Sequence, residues 1–488
     1  MNKFLKINEN DNVVVALCDI EKGYKENGIT ALDNIPCGHK ILLCDLKKDE
    51  NVIKYGNAVG HITQDTPAGS FVHEHNIKTN LTERFSYSFD GSNDYSHAES
   101  DITIKAYKRG NGKIGIRNEL WIIPTVGCVN KTAQLLEKIG NGLNTDCDGV
   151  FAFTHPYGCS QMGGDRETTE RVLASLIKHP NAGGVLVISL GCENSNLESI
   201  IPRLGIYDKN RVKFIVCQDE EDEIESGTKL IKELLNTMKN DRREDVNISE
   251  LKIGLKCGGS DAFSGITANP LCGLVTDRLT EAGAGVILSE VPEMFGAEHL
   301  LMKRSVNEDV FKKQVKMING FKEYFASHNQ ECYENPSPGN REGGITTLEE
   351  KSLGCIQKAG KSAVCDVLGY AEEAKVSGLS LLYGPGNDIV STTNLTCSGA
   401  HIILFTPGRG TPLGAPVPTI KISSNTKLYN KKPNWIDFNA GEVINGVTPG
   451  ELDESLFELL IETANGKKTK NEINGYREIA IFKDGVTM

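Results

Sequence analysis

The residues from 254 to 304 contain the densest group of side chains that could carry out chemistry. Cys257, Ser260 and Asp261 lie among glycines, and Glu290 follows an apolar run, Gly285–Leu288. Such a run is typical of a strand covered on both faces. Open α/β sheets bind ligands at the carboxyl ends of these strands, and glycine lets backbone amides approach a ligand. The stretch therefore predicts a binding or catalytic site; the alternative is that the glycines only shape turns.

A second group of reactive side chains follows three successive apolar segments. Cys128, Cys159 and Cys192 each lie beside a glycine where a predicted strand ends, and His155 and Glu193 are close to them in sequence. The carboxyl ends of parallel strands meet at one edge of a sheet, so we expect the three thiols to be neighbours. Thiolates are good ligands for iron and other transition metals. The alternative is that each cysteine is a small core residue.

Other candidate residues lie outside these two groups. A strand over residues 71–76 would place His73 and His75 on one face, where they could bind a metal or a carboxylate; the alternative is a pair of solvent-facing histidines. Arg409 follows another strand-like run and could hold a substrate carboxylate with two hydrogen bonds, or could pair with a nearby acid at the surface. No phosphate-binding GxxxxGK[ST] loop and no correctly placed GxGxxG are present.

The composition restricts the class of partner. The chain has 488 residues, a net charge of −12 and 14 cysteines. This acidity argues against nucleic acid or an anionic membrane as the main partner. No apolar run approaches the length of a membrane span, and the polar first residues lack the features of a signal peptide. We therefore expect a cytoplasmic protein with mostly reduced cysteines.

The order of strands, helices and linkers predicts an α/β chain in several parts. Short strands with glycine-rich turns indicate a small β domain over residues 1–80, and the polar segment 81–100 is typical of a linker or mobile flap. Alternating strands and helices predict an α/β domain with a mainly parallel sheet over 101–245, which carries the strand-end cysteines. A second α/β domain, the catalytic one, is expected over 246–488.

Several long motifs resemble the altronate and galactarate dehydratase family. They include TVGCVN, HPYGCSQ, GCEN, CGGSDAFSGITANP, SEVPEMFGAEHLL, FTPGRGTP and WIDFNAG. The resemblance covers nearly the whole chain, and it implies that residues 1–80 are a SAF-type (β-clip) domain. TVGCVN and the closing REIAIFKDGVT are more similar to the family members that act on altronate than to those that act on galactarate.

The resemblance implies a hydro-lyase that converts D-altronate to 2-dehydro-3-deoxy-D-gluconate and water. It also implies ferrous iron, with Mn²⁺ or an Fe–S cluster as alternatives, and a homodimer is expected. The candidate residues for each role combine this resemblance with the side-chain chemistry described above. Acid–base catalysis is assigned to Asp261, Glu193, Glu290 and His155; substrate binding to Arg409, Asn387, Ser260, His73 and His75; and metal binding to Cys128, His155, Cys159, Cys192 and Cys257. The alternatives are a galactarate dehydratase, a sulfo-lyase acting on a hydroxysulfonate, and a non-catalytic sugar-acid binding protein.

Overall fold

The computed structural model describes residues 2–81, 87–91, 93–144, 146–331 and 334–488. The N-terminal domain consists of short antiparallel strands joined by tight turns. They are β1 (Phe4–Leu5), β2 (Val13–Ala16), β3 (Lys25–Glu26), β4 (Ile29–Thr30), β5 (Lys40–Leu42), β6 (Asn51–Lys54), β7 (Asn57–Ile62), β8 (Phe71–Val72) and β9 (Ile77–Lys78). They pair in the orders β1-β2-β5-β8 and β6-β7-β9, with β3-β4 as a separate hairpin.

One strand predicted in this domain is wrong. The predicted strand over 71–76 stops at Val72, and the chain turns at His73. The cause is Asn76, whose side chain accepts a hydrogen bond from the His73 amide and donates one to the Phe71 carbonyl. Asparagine side chains stabilise turns by bonding to nearby backbone in this way. His73 and His75 therefore do not share a strand face.

The middle domain has a parallel sheet with helices on both faces. Its elements are β10 (Thr103–Lys108), β11 (Ile114–Gly115), β12 (Glu119–Pro124), α1 (Asn130–Leu143), β13 (Val150–Ala152), α2 (Gly163–Ile177), β14 (Ala182–Ser189), α3 (Leu197–Leu204), β15 (Val212–Val216), α4 (Glu223–Met238) and β16 (Glu244–Asn247). The parallel strand order is β13-β12-β14-β15, and β10 pairs separately with β11 and β16. Alternate residues of β12 face opposite helix layers: Leu120 and Ile122 pack with α1 and α4, and Trp121 and Ile123 pack with α2.

The C-terminal domain contains a larger parallel sheet. Its elements are β17 (Lys252–Gly258), α5 (Ala268–Glu281), β18 (Gly285–Leu288), α6 (Glu298–Met302), α7 (Glu308–Ser327), α8 (Pro338–Glu342), α9 (Leu348–Cys355), β19 (Val364–Leu368), β20 (Gly378–Leu382), α10 (Asp388–Cys397), β21 (Ile402–Pro407), β22 (Thr419–Ser423), α11 (Thr426–Lys431), β23 (Phe438–Asn439), α12 (Pro449–Ala464) and α13 (Lys470–Ile473). The strand order is β19-β20-β18-β17-β21-β22-β23. The predicted fold class, a small β domain followed by two α/β domains with mainly parallel sheets, is confirmed.

The order of these strands places the candidate site. From β17 the chain continues to β18 on one side, and β21 later pairs with β17 on the other side. A reversal of this kind leaves a crevice beyond the carboxyl ends of the strands, where α/β proteins bind ligands. In the described part of the chain, no helix is both long enough and apolar enough to cross a bilayer.

The second half of the connecting chain is held by the C-terminal domain. In the described part of the predicted linker or flap, Asn93 N donates to Ser305 O at 3.0 Å and the Tyr95 hydroxyl donates to Thr280 O at 3.0 Å. The apolar residues 479–482 form no strand in the described structure, and the Ala480 amide donates a hydrogen bond to the Thr393 hydroxyl.

Candidate active site

The candidate active site begins where β17 and β18 end side by side in the seven-stranded sheet. The Lys256 ammonium forms an ion pair with the Glu290 carboxylate, whose second oxygen accepts a hydrogen bond from the Cys257 amide at 2.9 Å. All three side chains are buried. Glu290 has a left-handed backbone, with φ 73° and ψ 68°. Residues other than glycine seldom adopt this conformation, and it is concentrated at functional sites.

The chain from α9 onward completes this group of charges. The Sγ atoms of Cys257 and Cys355 are 3.3 Å apart, and Lys358 Nζ is 3.6 Å from the Glu290 carboxylate. Lys358 is also buried, so its charge is balanced by groups in the interior rather than by water. We name the whole group the lysine–carboxylate cluster; it comprises Lys256, Cys257, Glu290, Glu293, Lys351, Cys355, Lys358 and Asp388.

The cluster moves the pKa values of two groups in opposite directions. Burial, with the adjacent Cys257 thiolate, raises the pKa of Glu290 to about 8 despite its lysine neighbours. The hydrogen bond from Cys355, supported by Lys358 and Lys256, holds the pKa of the Cys257 thiol well below its usual range. Burial therefore favours a proton on Glu290, whereas the neighbouring lysines and Cys355 favour a thiolate at Cys257. Titratable neighbours separated in this way are candidates for a catalytic acid and base.

The cluster reaches the surface in two places. Asp388 pairs with Lys256 at 2.9 Å, and its side chain is 34% exposed on an open groove of about 470 Å³. On the other side, Lys351 pairs with Glu293 at 2.9 Å and donates to Asn335 Oδ1 at 2.8 Å. Asn335 lines a cavity of about 170 Å³ between the N-terminal and C-terminal domains. A small polar substrate could therefore approach these charges from either opening.

Asp261 and Ser260 occupy the loop after β17, in the crevice beside β21. Asp261 accepts hydrogen bonds from Ser424 Oγ at 2.7 Å, Asn425 Nδ2 at 2.9 Å and Ser264 Oγ at 2.9 Å. Burial raises the pKa of Asp261, although these hydrogen bonds oppose the change. Ser260 Oγ is buried and has no hydrogen-bond partner in the described part of the chain. A buried hydroxyl without a partner is costly unless a ligand or water completes its bonding.

Two predicted substrate-binding residues lie on the rim. Asn387 is exposed, caps α10 by accepting a hydrogen bond from the Val390 amide, and lines the larger groove. Arg409 is 49% exposed and pairs with Glu342 at 2.7 Å, so the structure shows the surface pairing that was the alternative to a carboxylate clamp. A substrate carboxylate would have to compete with Glu342 for this guanidinium group.

The predicted histidines of the N-terminal domain lie near the same crevice. His73 Nε2 is 3.1 Å from the Arg341 carbonyl oxygen, and its ring is 5.2 Å from that of His39. His75 is exposed and packs beside Phe71. The turn between β8 and β9 thus brings His73 against α8, whereas His75 has no polar contact in the described structure.

Two predicted catalytic groups of the middle domain are saturated with hydrogen bonds. Glu193 accepts from the hydroxyls of Thr125 and Ser189, both at 2.5 Å, and from the Gly191 amide at 2.7 Å. Burial alone would raise the pKa of Glu193, but these hydrogen bonds outweigh it and lower the pKa, so they favour the ionised carboxylate. The arrangement fits a structural carboxylate that joins the ends of β12 and β14.

His155 is also occupied by backbone contacts. Its Nε2 lies 2.8 Å from the Pro124 carbonyl oxygen, and its Nδ1 accepts a hydrogen bond from the Tyr157 amide at 3.2 Å. Burial lowers the pKa of His155 to about 4. Neither ring nitrogen is free to bind a metal or to transfer a proton unless one of these contacts breaks. Both roles predicted for His155 would therefore require the ring to give up a backbone contact.

The five predicted metal ligands are not brought together. Cys128, Cys159 and Cys192 are exposed on loops at the carboxyl edge of the middle sheet, as their strand-end positions predict, but Cys257 is buried in the C-terminal domain beside Cys355. Within the described ranges, no three histidine, cysteine, aspartate or glutamate side chains are arranged to hold a metal ion. The predicted set therefore does not fit a single iron centre.

Sequence reasoning missed several members of the cluster. Lys256, Lys351, Lys358 and Cys355 were assigned no role, although Lys256 directly precedes Cys257 in the strand-end motif. That adjacency was the available signal, because a lysine within an otherwise apolar strand needs a buried partner. Cys355 gave no local signal, since it is far from Cys257 in sequence and meets it only through the packing of α9.

Comparison with known proteins agrees with this architecture. Three family models match successive parts of the chain: the altronate/galactarate dehydratase SAF domain at 2–80, the second domain of D-galactarate dehydratase/altronate hydrolase at 106–239, and the C-terminal domain of D-galactarate/altronate dehydratase at 248–487. A SAF domain followed by two parallel α/β domains is thus the architecture of a sugar-acid dehydratase. The chain belongs to the altronate/galactarate dehydratase family.

Individual relatives differ in their similarity to the chain. The altronate dehydratases of Escherichia coli (strain K12) and Bacillus subtilis (strain 168) are each 49% identical to it, over the full length of both proteins. The L-threo-forming galactarate dehydratase of E. coli is 31% identical over 98% of this chain and 96% of its own length. The chain is therefore more similar to the altronate dehydratases than to the galactarate dehydratase.

Proposed function

We propose that this chain is a hydro-lyase that converts D-altronate to 2-dehydro-3-deoxy-D-gluconate and water. The observation that carries the proposal is the lysine–carboxylate cluster, in which the buried Lys256 and Lys358 ammonium groups lie beside the Glu290 carboxyl group and Cys257 at the carboxyl ends of β17 and β18. The full-length similarity to two altronate dehydratases supports altronate rather than galactarate as the substrate.

The reaction is a β-elimination that needs a base and an acid. The base removes the proton from C2, the C2–H electron pair becomes the C2–C3 double bond, and the C3 hydroxyl leaves with a proton from the acid as water. The resulting enol tautomerises to the 2-keto acid. The C2 proton is weakly acidic because it lies beside a carboxylate, so positive groups that stabilise negative charge on that carboxylate in the transition state lower the barrier.

Residues of the cluster suit these roles. Glu290, whose pKa is raised to about 8, would donate the proton to the leaving hydroxyl, and the Cys257 thiolate would accept the C2 proton. Lys351, at the opening beside Asn335, would hold the substrate carboxylate. Asp261 and Ser260 would orient the distal hydroxyls from the neighbouring loop, where the Ser260 hydroxyl has no partner.

The test is turnover by the purified protein and one variant. Formation of 2-keto acid from D-altronate, galactarate and sulfolactate should be measured, and we expect turnover of D-altronate. Glu290→Gln should lower kcat by roughly 10²- to 10⁴-fold, the usual value of a general acid. Glu462→Gln, at an exposed ion pair, is the matched control. Because Glu290→Gln also breaks a buried ion pair, the pH profile of the unaltered protein is a second measurement: the rate should fall as pH rises through about 8, where Glu290 loses its proton. A rate that stays flat through this range, or turnover of galactarate or sulfolactate alone, would overturn the proposal.

Three further expectations are part of the proposal and rest on the sequence. They are dependence on Fe²⁺ with Mn²⁺ or an Fe–S cluster as alternatives, a homodimer, and a cytoplasmic location. Because the predicted ligands do not assemble, no step above is assigned to a metal. Iron and acid-labile sulfide should be measured after anaerobic purification: iron alone supports the mononuclear expectation, sulfide in proportion to iron supports the cluster, and full activity without iron would refute both.

A further inference from the structure

A cavity of about 160 Å³ lies between the middle and C-terminal domains, away from the lysine–carboxylate cluster. Pro180 lines it just before β14 begins, and Gly399 lines it just before β21 begins. The cavity is therefore at the amino-terminal edges of both parallel sheets, whereas the candidate active site is at the carboxyl edge. Neither the family resemblance nor the proposed reaction assigns a role to it.

The lining of this cavity is strongly basic in a chain with a net charge of −12. Its charged side chains are Lys113, Arg171, Lys178, Arg203 and Glu373. The single carboxylate, Glu373, is already paired with Lys113 at 2.5 Å. Arg203 is paired with a carboxylate outside the lining, at 2.7 Å. The other two cations have no such compensation.

Arg171 is an exposed residue of α2 and Lys178 directly follows this helix; neither forms an ion pair with a carboxylate in the described part of the chain. Arg171 donates to the Tyr370 carbonyl oxygen at 3.3 Å, and Lys178 donates to the Arg203 carbonyl oxygen at 3.2 Å. Burial lowers the pKa of Lys178, although the nearby Glu373 carboxylate opposes the change. An anion in the cavity would face both Arg171 and Lys178 and would favour the charged form of Lys178.

We propose that this cavity binds a small anion that carries a phosphoryl group. Two unpaired cations match the charge of a phosphoryl dianion, and an arginine with a lysine supplies both the planar fork and the point charge that recognise phosphate oxygens. A volume of about 160 Å³ has room for roughly five water molecules, which is enough for a phosphoryl group and a few attached heavy atoms. The ligand is thus inorganic phosphate or a short organic phosphate.

Such a ligand would connect two domains. Arg171 and Lys178 belong to the middle domain, and Glu373 and Gly399 belong to the C-terminal domain. An anion held between them stabilises the domain arrangement in proportion to the logarithm of its concentration above the Kd. The site is separate from the proposed reaction, so binding can be measured whether or not the chain dehydrates a sugar acid.

The test is calorimetric titration of the full chain, at low ionic strength and without substrate. Inorganic phosphate and glycerol 3-phosphate are the two probes, and we expect one saturable site per chain for at least one of them. Tighter binding of glycerol 3-phosphate would assign an organic phosphate, and equal binding would assign phosphate itself. Arg171→Gln and Lys178→Gln should each weaken binding by about tenfold or more, the value of a hydrogen bond to a charged group.

The control is Lys232→Gln, at an exposed position of α4 on the opposite helix layer of the middle sheet, which should bind like the unaltered chain. Thermal unfolding without ligand establishes that each variant is folded, and phosphate should raise the transition temperature of the unaltered chain but not of the double variant. Absence of saturable binding by both probes at millimolar concentration, or binding that survives both substitutions, would overturn the proposal.

Discussion

The N-terminal domain is docked on the C-terminal domain by a buried triad of charges, and removal of its single carboxylate should be costly. Glu350 accepts hydrogen bonds from Lys40 and from Lys54, each at 2.8 Å, and also from the Thr346 amide at 2.9 Å. The side chains of Glu350 and both lysines are at most 1% exposed. Glu350→Gln keeps the shape of the side chain but leaves two ammonium groups in the interface without a counter-charge.

The structure sets a range for the loss. Removing one partner of a buried ion pair costs about 3–5 kcal/mol. Each lysine can instead become neutral. Deprotonating a lysine of ordinary pKa at pH 7 costs about 5 kcal/mol, so each lysine can lower the stability of the variant by no more than this amount. Burial and the charge of Lys54 already lower the pKa of Lys40 to about 8, so Lys40 should lose its proton first in the variant. We expect about 3–5 kcal/mol in total.

The pH dependence has a defined direction in each protein. In the unaltered chain, Lys40 and Lys54 outweigh the effect of burial and hold the pKa of Glu350 far below its unfolded value. The stability that this carboxylate contributes is therefore fully present above its unfolded pKa and is lost as the pH falls toward the folded pKa. In Glu350→Gln the lysine pKa values are depressed by folding, so the deficit should shrink as the pH rises toward the unfolded lysine pKa.

Hydrogen–deuterium exchange of peptides covering β5 and β7 measures the free energy of local opening directly. Glu462→Gln is the matched control, because its pair with Lys467 is about half exposed and worth about 0–1 kcal/mol. Glu350→Gln combined with Lys40→Met and Lys54→Met should recover most of the loss, since apolar replacement of a whole buried ionic group is often neutral. Equal exchange in Glu350→Gln and Glu462→Gln would refute the reasoning.

Three further predictions concern other parts of the chain. Gly408→Ala should lower kcat roughly tenfold to a hundredfold in the dehydratase assay, because its Cβ would lie 2.6 Å from the Asp261 amide nitrogen and displace that loop. Gly450→Ala is the control, because its Cβ would lie in open space, and equal rates of the two variants would contradict the role of this loop. Glu193→Gln should lower the free energy of unfolding in urea by about 1–3 kcal/mol while kcat changes little, because the Glu193 carboxylate accepts hydrogen bonds that join the ends of β12 and β14. Normal stability with lost turnover would instead support a catalytic role for Glu193. Arg117→Lys should destabilise the chain by about 3 kcal/mol in the same experiment, because a lysine cannot reproduce the two bonds to Glu472 and the bonds to the Thr463 and Lys467 carbonyl groups. Arg242→Lys, at an exposed position, is the control. Equal stability of these two variants would contradict a stabilising role for the Arg117 hydrogen bonds.

Short apolar runs in the sequence predicted several strands and the residues that follow their carboxyl ends. The apolar run Gly285–Leu288 is a strand with the predicted bounds, and the strand-end rule correctly placed Cys128, Cys159 and Cys192 along one edge of the middle sheet. The same rule explains why Glu290 lies beside Cys257, because adjacent parallel strands end together.

Contacts formed only by the packing of the folded chain could not be predicted from the sequence. Cys355 reaches Cys257 only because α9 returns over the end of β17, and no spacing in the sequence reports that contact. His155 looked reactive as a residue type, yet two backbone contacts occupy its ring. The spacing of His73 and His75 predicts that they share one face of a strand. In the structure the Asn76 side chain bonds to the backbone and stabilises a turn there.

The docking of the N-terminal domain also has a consequence for how such a protein can be encoded. Besides the charged triad, the Thr79 hydroxyl donates to Glu349 at 2.8 Å and the Thr347 hydroxyl donates to the Val59 carbonyl oxygen at 2.5 Å. These contacts hold the two domains together directly, so the covalent connection over 81–100 mainly raises their effective concentration. A gene split within that connection would yield two polypeptides that still assemble, and a fusion of two such genes would recreate this single chain without a new interface.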